Sequence, residues 1–185
     1  DAIASYRGQI GLLHGRDRDL EVVDALLAVD YSYYTIGDNS HGAEFVDSAF
    51  ELLDENVVTP QLARALLTRA QHHTRASDLR QSVGWYERAI EAATAVDEFA
   101  VLSRAGSGLG LVTFLLGDHL EGRRRVADSL SLAVQANETE MASRIFQTVA
   151  ALAWLDLSYD EALHGFEEGA RYSAAHDLNG DLMCA

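Results

Sequence analysis

Seven histidines, a glycine-rich pentad and several carboxylate pairs are the residues of this chain whose types could carry chemistry. His72 and His73 are adjacent, so on a helix they point about 100° apart and cannot ligate one ion from one face. His14, His41, His119, His164 and His176 fall mostly at expected helix ends or turns, and none forms an H-x3-H pair with a nearby carboxylate. They read as solvated or capping side chains, and no metal is expected. Gly106-Ser107-Gly108-Leu109-Gly110 has the outline of a phosphate-cradling loop. No strand precedes it, however, and the lysine such a loop needs is missing, because all 14 basic residues are arginine. These glycines instead thin a helix where a neighbour crosses, and they lower its propensity by roughly 1 kcal/mol each, so a bent or locally loose helix is expected there.

Glu167-Glu168 and the Glu138/Glu140 pair invite an acid–base reading. A catalytic pair needs carboxylates that converge in a cleft with their pKa values pushed apart, whereas these stand on a surface helix or at its start. Glu87 and Glu91 lie one turn apart and read as the solvated face of a helix. No Ser-His-Asp or Cys-His arrangement is inferable. The sequence therefore points to no catalytic residue, no cofactor and no enzyme.

Recognition chemistry is better represented. Tyr31, Tyr33 and Tyr34 cluster beside Asp30; Arg64, Arg69 and His73 follow, then Arg104, then Arg144 with Gln147. Arginine clamps carboxylates through paired N–H donors, and tyrosine adds contact area with a polar tip. The competing reading places some of these tyrosines in a core and pairs the arginines with the abundant acids.

These residues need elements to position them, and a repeat supplies them. Four windows carry a small or short residue, a large one four later and another small one three after that. They are His41-Phe45-Ser48, Ser82-Tyr86-Ala89, Gly122-Val126-Ser129 and Ala162-Phe166-Gly169, with a partial copy at Ala2, Tyr6 and Gln9. Their first positions are separated by 39, 41, 40 and 40 residues. Positions i, i+4 and i+7 share one helical face, so each window marks an inner helix B whose large residue fills the space between neighbouring hairpins. An amphipathic helix A precedes each, near 20–36, 60–74, 99–116 and 139–157. Thr59 with Pro60 signals a capped start, and Thr139 is expected to cap the fourth A helix. Gly37-Asp38-Asn39-Ser40, Ala76-Ser77-Asp78, Gly117-Asp118 and Ser158-Tyr159-Asp160 read as the turns between A and B.

Ala and Leu dominate the apolar residues, hydrophobic residues make up 48% of the chain and Pro60 is the single proline, so an all-α fold follows. A formal charge of −15 repels phosphate backbones and argues against direct nucleic-acid binding. Arg123-Arg124-Arg125 reads as a solvated helix face. The lone Cys184 excludes an intramolecular disulfide and fits a reducing cytoplasm, and no apolar run approaches the ~18 residues of a membrane span. The exclusive use of arginine reads as the codon bias of a high-GC organism such as an actinobacterium.

The B-helix windows resemble the tetratricopeptide repeat, most closely at Tyr159-Asp160-Glu161-Ala162, Phe166 and Gly169, with Gly110 and Gly117 at the family's crossing and turn positions. The period near 40 rather than 34, the missing closing proline and the missing helix A tryptophan mark a longer, degenerate variant. The resemblance implies a right-handed α-α superhelix of hairpins. Its expected layout is one repeat domain over 1–185, with a leading helix B at 1–16, repeats near 19–57, 59–98, 99–138 and 139–178, and the start of another helix at 179–185, all cut from a longer array. Ala-rich, lysine-free repeats of this length also resemble the C-terminal repeat regions of large bacterial LuxR-type regulators that carry an NTPase module. That resemblance implies a cytoplasmic protein- or peptide-binding or ligand-responsive scaffold. Its A helices line a concave groove, where Tyr31, Tyr34, Arg64, Arg69, His73, Arg104, Arg144 and Gln147 are the candidate contacts. Self-association into a homodimer and small-molecule sensing remain the alternative roles.

Overall fold

A computed structural model of the chain describes residues 4–6, 8 and 19–178. Eight helices follow one another: α1 (Asp19–Thr35), α2 (Asn39–Leu52), α3 (Pro60–Arg75), α4 (Leu79–Ala95), α5 (Phe99–Leu115), α6 (His119–Gln135), α7 (Thr139–Leu155) and α8 (Tyr159–Ala175). Residues 4–6 and 8 are helical as well, and among the described residues there is no strand. Most of the expected leading helix and all of residues 179–185, with Cys184, lie outside the described residues. Helices pair in order as α1–α2, α3–α4, α5–α6 and α7–α8. The chain divides into two compact units, Asp1–Val96 and Asp97–Ala185. Each contains two of the hairpins, and the division falls at a repeat boundary.

The A helices are α1, α3, α5 and α7, and all four close in the same way. The carbonyls of Tyr33, His73, Thr113 and Ala153 accept from the N–H groups of Asp38, Asp78, Asp118 and Ser158 at 2.8–3.1 Å. The middle residue of each turn is left-handed: Gly37 (φ 81°), Ser77 (62°), Gly117 (106°) and Leu157 (59°). This is the six-to-one closure of a Schellman motif, which satisfies a helix-end carbonyl at the expense of a positive φ.

Local signals place most starts. The Thr59 hydroxyl accepts from the Leu62 N–H at 3.1 Å ahead of Pro60. Two expectations need correction. Thr139 does not cap α7; it is the first helical residue, because the chain has already turned at Asn137 (φ 59°), and Glu138 takes the cap position without a side-chain bond. Likewise Asn39 and Ser40 belong to α2 and Tyr159 and Asp160 to α8, and the turns are residues 36–38 and 156–158.

The core also corrects the repeat frame. In α2 the buried positions are Gly42, Val46 and Ala49, each one residue after the expected His41, Phe45 and Ser48. The frame then runs 42, 82, 122 and 162, with 40 residues between successive copies. Phe45 is half-buried, stacked on Tyr33 at 5.7 Å and packed beside Val22, Val23 and Leu26. Tyr86, Ala89, Val126 and Ala162 are buried, and Gly122 and Gly169 with them. Phe166 departs: it is 44% exposed. Val126 is covered by Ala142 and Ile145 of α7, whereas among the described residues no helix occupies the corresponding place beside α8.

Glycines set the closest approach. A Cβ on Gly122 would lie 2.7 Å from the Gly110 carbonyl oxygen, and one on Gly110 would lie 2.8 Å from that of Gly122. Helix α5 runs unbroken through the glycine pentad, which is a crossing surface. We expect Gly122→Ala to lower stability by about 1–3 kcal/mol through overpacking. Gly84→Ala, in a helix interior with nothing within 4 Å of the added methyl, is expected to raise it by up to ~1 kcal/mol. Thermal unfolding of the two variants measures both.

Electrostatics reinforce the B-helix starts. Asp38 caps α2 and bonds His41, which holds its carboxyl below the ordinary 3.8; Arg124 holds Glu121, in the first turn of α6, below the ordinary 4.5. A lowered folded-state value means stability that is complete above the ordinary value and lost as pH falls through the folded one. The difference in melting temperature between the native chain and Glu121→Gln should therefore be present at about pH 7 and shrink steadily from about pH 4 downward.

Candidate functional site

In the first unit the neighbouring A helices α1 and α3 are joined by a row of polar pairs. Gln61 Nε2 donates to Asp24 Oδ2 at 3.0 Å, and Arg64 Nη1 meets Asp24 Oδ1 at 3.0 Å. Further along, His72 Nε2 lies 2.6 Å from Asp30 Oδ1, and the Arg75 guanidinium sits 4.8 Å over the Tyr34 ring. Tyr31 packs against Tyr34 at 6.1 Å, and both rings are exposed.

Arg69 and His73 do not join that row. Arg69 pairs with Asp47 of α2 at 2.6 Å, with its guanidinium over the rings of Phe50 and Trp85. His73 stacks on Trp85 at 6.1 Å and meets Asp78 at 3.3 Å. Both border an open cavity of about 380 Å³ between α2 and α3, together with His72, Arg75 and Ser40. The candidate residues of this unit thus separate into one set facing α1 and another facing α2.

The second unit repeats the arginine. Arg64, Arg104 and Arg144 are 40 residues apart and hold the same place in successive A helices. Arg104 is half-buried on α5. Arg144 and Gln147 on α7 line an open cavity of about 360 Å³, whose apolar side comes from Leu111, Ala151 and Phe166. Helix α8 approaches α7 closely here: a Cβ on Gly165 would lie 3.2 Å from that of Ala150, and one on Gly169 3.0 Å from that of Phe146. This crossing places Phe166 on the cavity wall. Among the described residues no group of three or more His, Cys, Asp or Glu side chains is arranged to hold a metal ion, and no helix is long and apolar enough to cross a membrane.

Sequence reading missed the Asp30–His72 pair. Asp30 is 4% exposed, and its equivalents 40 residues apart are Ala70, Gly110 and Ala150. Those of His72 are Ser32, Val112 and Leu152. A carboxylate in a small-residue register was the available signal, hidden by setting the first frame on His41. A carboxylate buried without a partner is strongly disfavoured. His72→Leu should therefore destabilise the protein by about 1–3 kcal/mol, and the double change Asp30→Ala/His72→Leu, which removes both polar partners, should recover most of that loss in a denaturant titration.

With this geometry in hand, comparison with solved structures is informative. The chain is similar to a Rap protein complexed with Competence and Sporulation Factor (TM-score 0.79, 17% identity, 93% of this chain and 48% of that one). Aspartyl phosphate phosphatase F from Bacillus subtilis is similar too (TM-score 0.71, 12% identity, 93% and 45%). So is a Podosopora anserina putative kinesin light chain with nearly identical TPR-like repeats (TM-score 0.62, 10% identity, 96% and 87%). The fold is tetratricopeptide-like. No protein-family model and no curated protein sequence matches the chain, and the chain spans about half the length of the first two of these structural neighbours.

Proposed function

We propose that this chain is a polypeptide-binding scaffold, and that its A helices hold a ligand which pairs an acidic group with an apolar side chain. The observation that carries this reading is the cavity of the second unit. There Arg144 and Gln147 stand beside Leu111, Ala151 and the exposed Phe166, so a charged donor fork adjoins an apolar wall. An arginine fork suits a carboxylate, and a small apolar hollow suits one side chain, the usual division of labour in a peptide-binding groove. The similar Rap protein lends support, since it is a protein complexed with Competence and Sporulation Factor. Within the cell the reading places the chain in the repeat region of a bacterial LuxR-type transcriptional regulator. The complete coding sequence decides that point: an NTPase module upstream and a helix-turn-helix downstream uphold it, and their absence removes it.

Screening a random decapeptide library by fluorescence anisotropy tests the binding role. Bound peptides should be enriched in Asp or Glu near Leu, Ile or Phe, and Arg144→Ala and Phe166→Ala should each weaken them about tenfold. A library without binders, alongside thermal stabilisation by small metabolites, would replace the scaffold with a sensor.

A further inference from the structure

The A–B turns of the second unit form an apolar edge that the fold does not require. Leu120, Leu157 and Trp154 are 83%, 71% and 58% exposed, and Leu116, Leu155 and Tyr159 are exposed beside them. One repeat earlier in sequence than the α5–α6 turn, the positions of Leu115, Leu116 and Leu120 are held by Arg75, Ala76 and Arg80. The same hairpin geometry is therefore built there with two arginines and an alanine.

Leu157 is the most telling residue. Its equivalents Gly37, Ser77 and Gly117 share its positive φ, a conformation that a bulky side chain disfavours. A leucine here strains the backbone, and its side chain, lying mostly in solvent, gains no packing in return. The left-handed turn itself closes the helix, so what needs a reason is leucine in place of glycine there, and a demand on the exposed side chain supplies one.

The edge is also held firmly. Asp156, in the α7–α8 turn, meets His119 Nδ1 at 2.8 Å and accepts from Arg123 Nε at 2.9 Å, both from α6; Arg123 Nη1 also reaches Glu161 of α8 at 2.8 Å. Phe114 stacks on His119 at 4.2 Å, and Trp154 meets Tyr159 edge to face at 5.0 Å. The two turns are thereby fixed side by side, and their apolar side chains form one preset surface.

We infer that this edge docks an amphipathic helix of a partner protein, with leucine-like side chains on one face flanked by lysine or arginine. Charge selects this occupant. Asp118, Asp160 and Glu161 are exposed at the rim, Arg123 is already engaged by Asp156 and Glu161, and the whole chain carries −15. A second copy of the chain or an anionic bilayer is repelled over the distance at which a basic segment is attracted. The surface shares no residue with the Arg144 cavity and stands independently of the binding role proposed for it.

The probe is a synthetic 18-residue Leu/Lys amphipathic helix, with a Leu/Glu helix of the same apolar face as control. In a Trp85→Phe background Trp154 is the remaining tryptophan, and its emission should shift to the blue as the Leu/Lys helix saturates the site. Leu157→Gly should raise the melting temperature while weakening the probe at least fivefold; Leu120→Ser should weaken it similarly, and Arg144→Ala should leave it unchanged. Three results would overturn the inference: equal affinity for the Leu157→Gly and native chains, an equal shift of Trp154 emission by the Leu/Glu helix when the Arg144 cavity is disabled by Arg144→Ala, or a dimer in light scattering that Leu120→Ser dissolves.

Discussion

The closest approach of each A helix to its B helix is the constraint from which the rest of this fold follows. At Gly110 and Gly122 each helix presents a backbone carbonyl where the other would carry a Cβ, so both positions must be very small. The same pair of positions holds Asp30 and Gly42, Ala70 and Ser82, and Ala150 and Ala162 in the other repeats. Once the axes are that close, the large residue one turn beyond the crossing is driven into the core, as Val46, Tyr86 and Val126 show. The three-residue Schellman turn then has the right span to return the chain. Asp30 is compatible with this arrangement because Gly42 leaves room: a methyl there would lie 2.5 Å from Asp30 Oδ1. Burial of that carboxylate in turn requires the His72 ring as its partner.

Helix positions were legible because they rest on local causes. Apolar periodicity, Thr59 with Pro60, and the polar turn residues act within a few residues of one another, and the expected A helices agree with the observed ones to within two residues at each end. The missed frame in α2 has an equally local cause. Phe45, being aromatic, was taken for the central core residue, yet it lies on the shoulder of the helix against Tyr33 while the smaller Val46 is fully buried. Side-chain size misled where helical phase decides.

The candidate site was legible only as a set of residue types on the A helices. Arg64 and Arg69 are five residues apart, which turns them about 140° around the helix axis, so they meet different neighbours: Asp24 of α1 and Asp47 of α2. Nothing local to α3 names those neighbours. Asp30 and His72 are 42 residues apart on separate helices, and only the packed arrangement brings them together. Contacts between hairpins depend on phase relative to other helices, which a single helix's pattern does not contain.

This separation explains how one repeat supports surfaces of different chemistry. Backbone closure is satisfied inside each hairpin, and the crossing uses small residues at every position but Asp30, so the A-helix faces and the turn edges are free to diverge. The first unit spends that freedom on polar pairs, from Asp24–Arg64 through Asp30–His72 to Tyr34–Arg75. In the second, an arginine stands beside an apolar hollow, and leucines line a rigid edge. Leu157 shows how far this divergence reaches, since it enters even the left-handed turn position where glycine would be conformationally easiest. A position that tolerates that conflict is answering to a demand outside the hairpin itself.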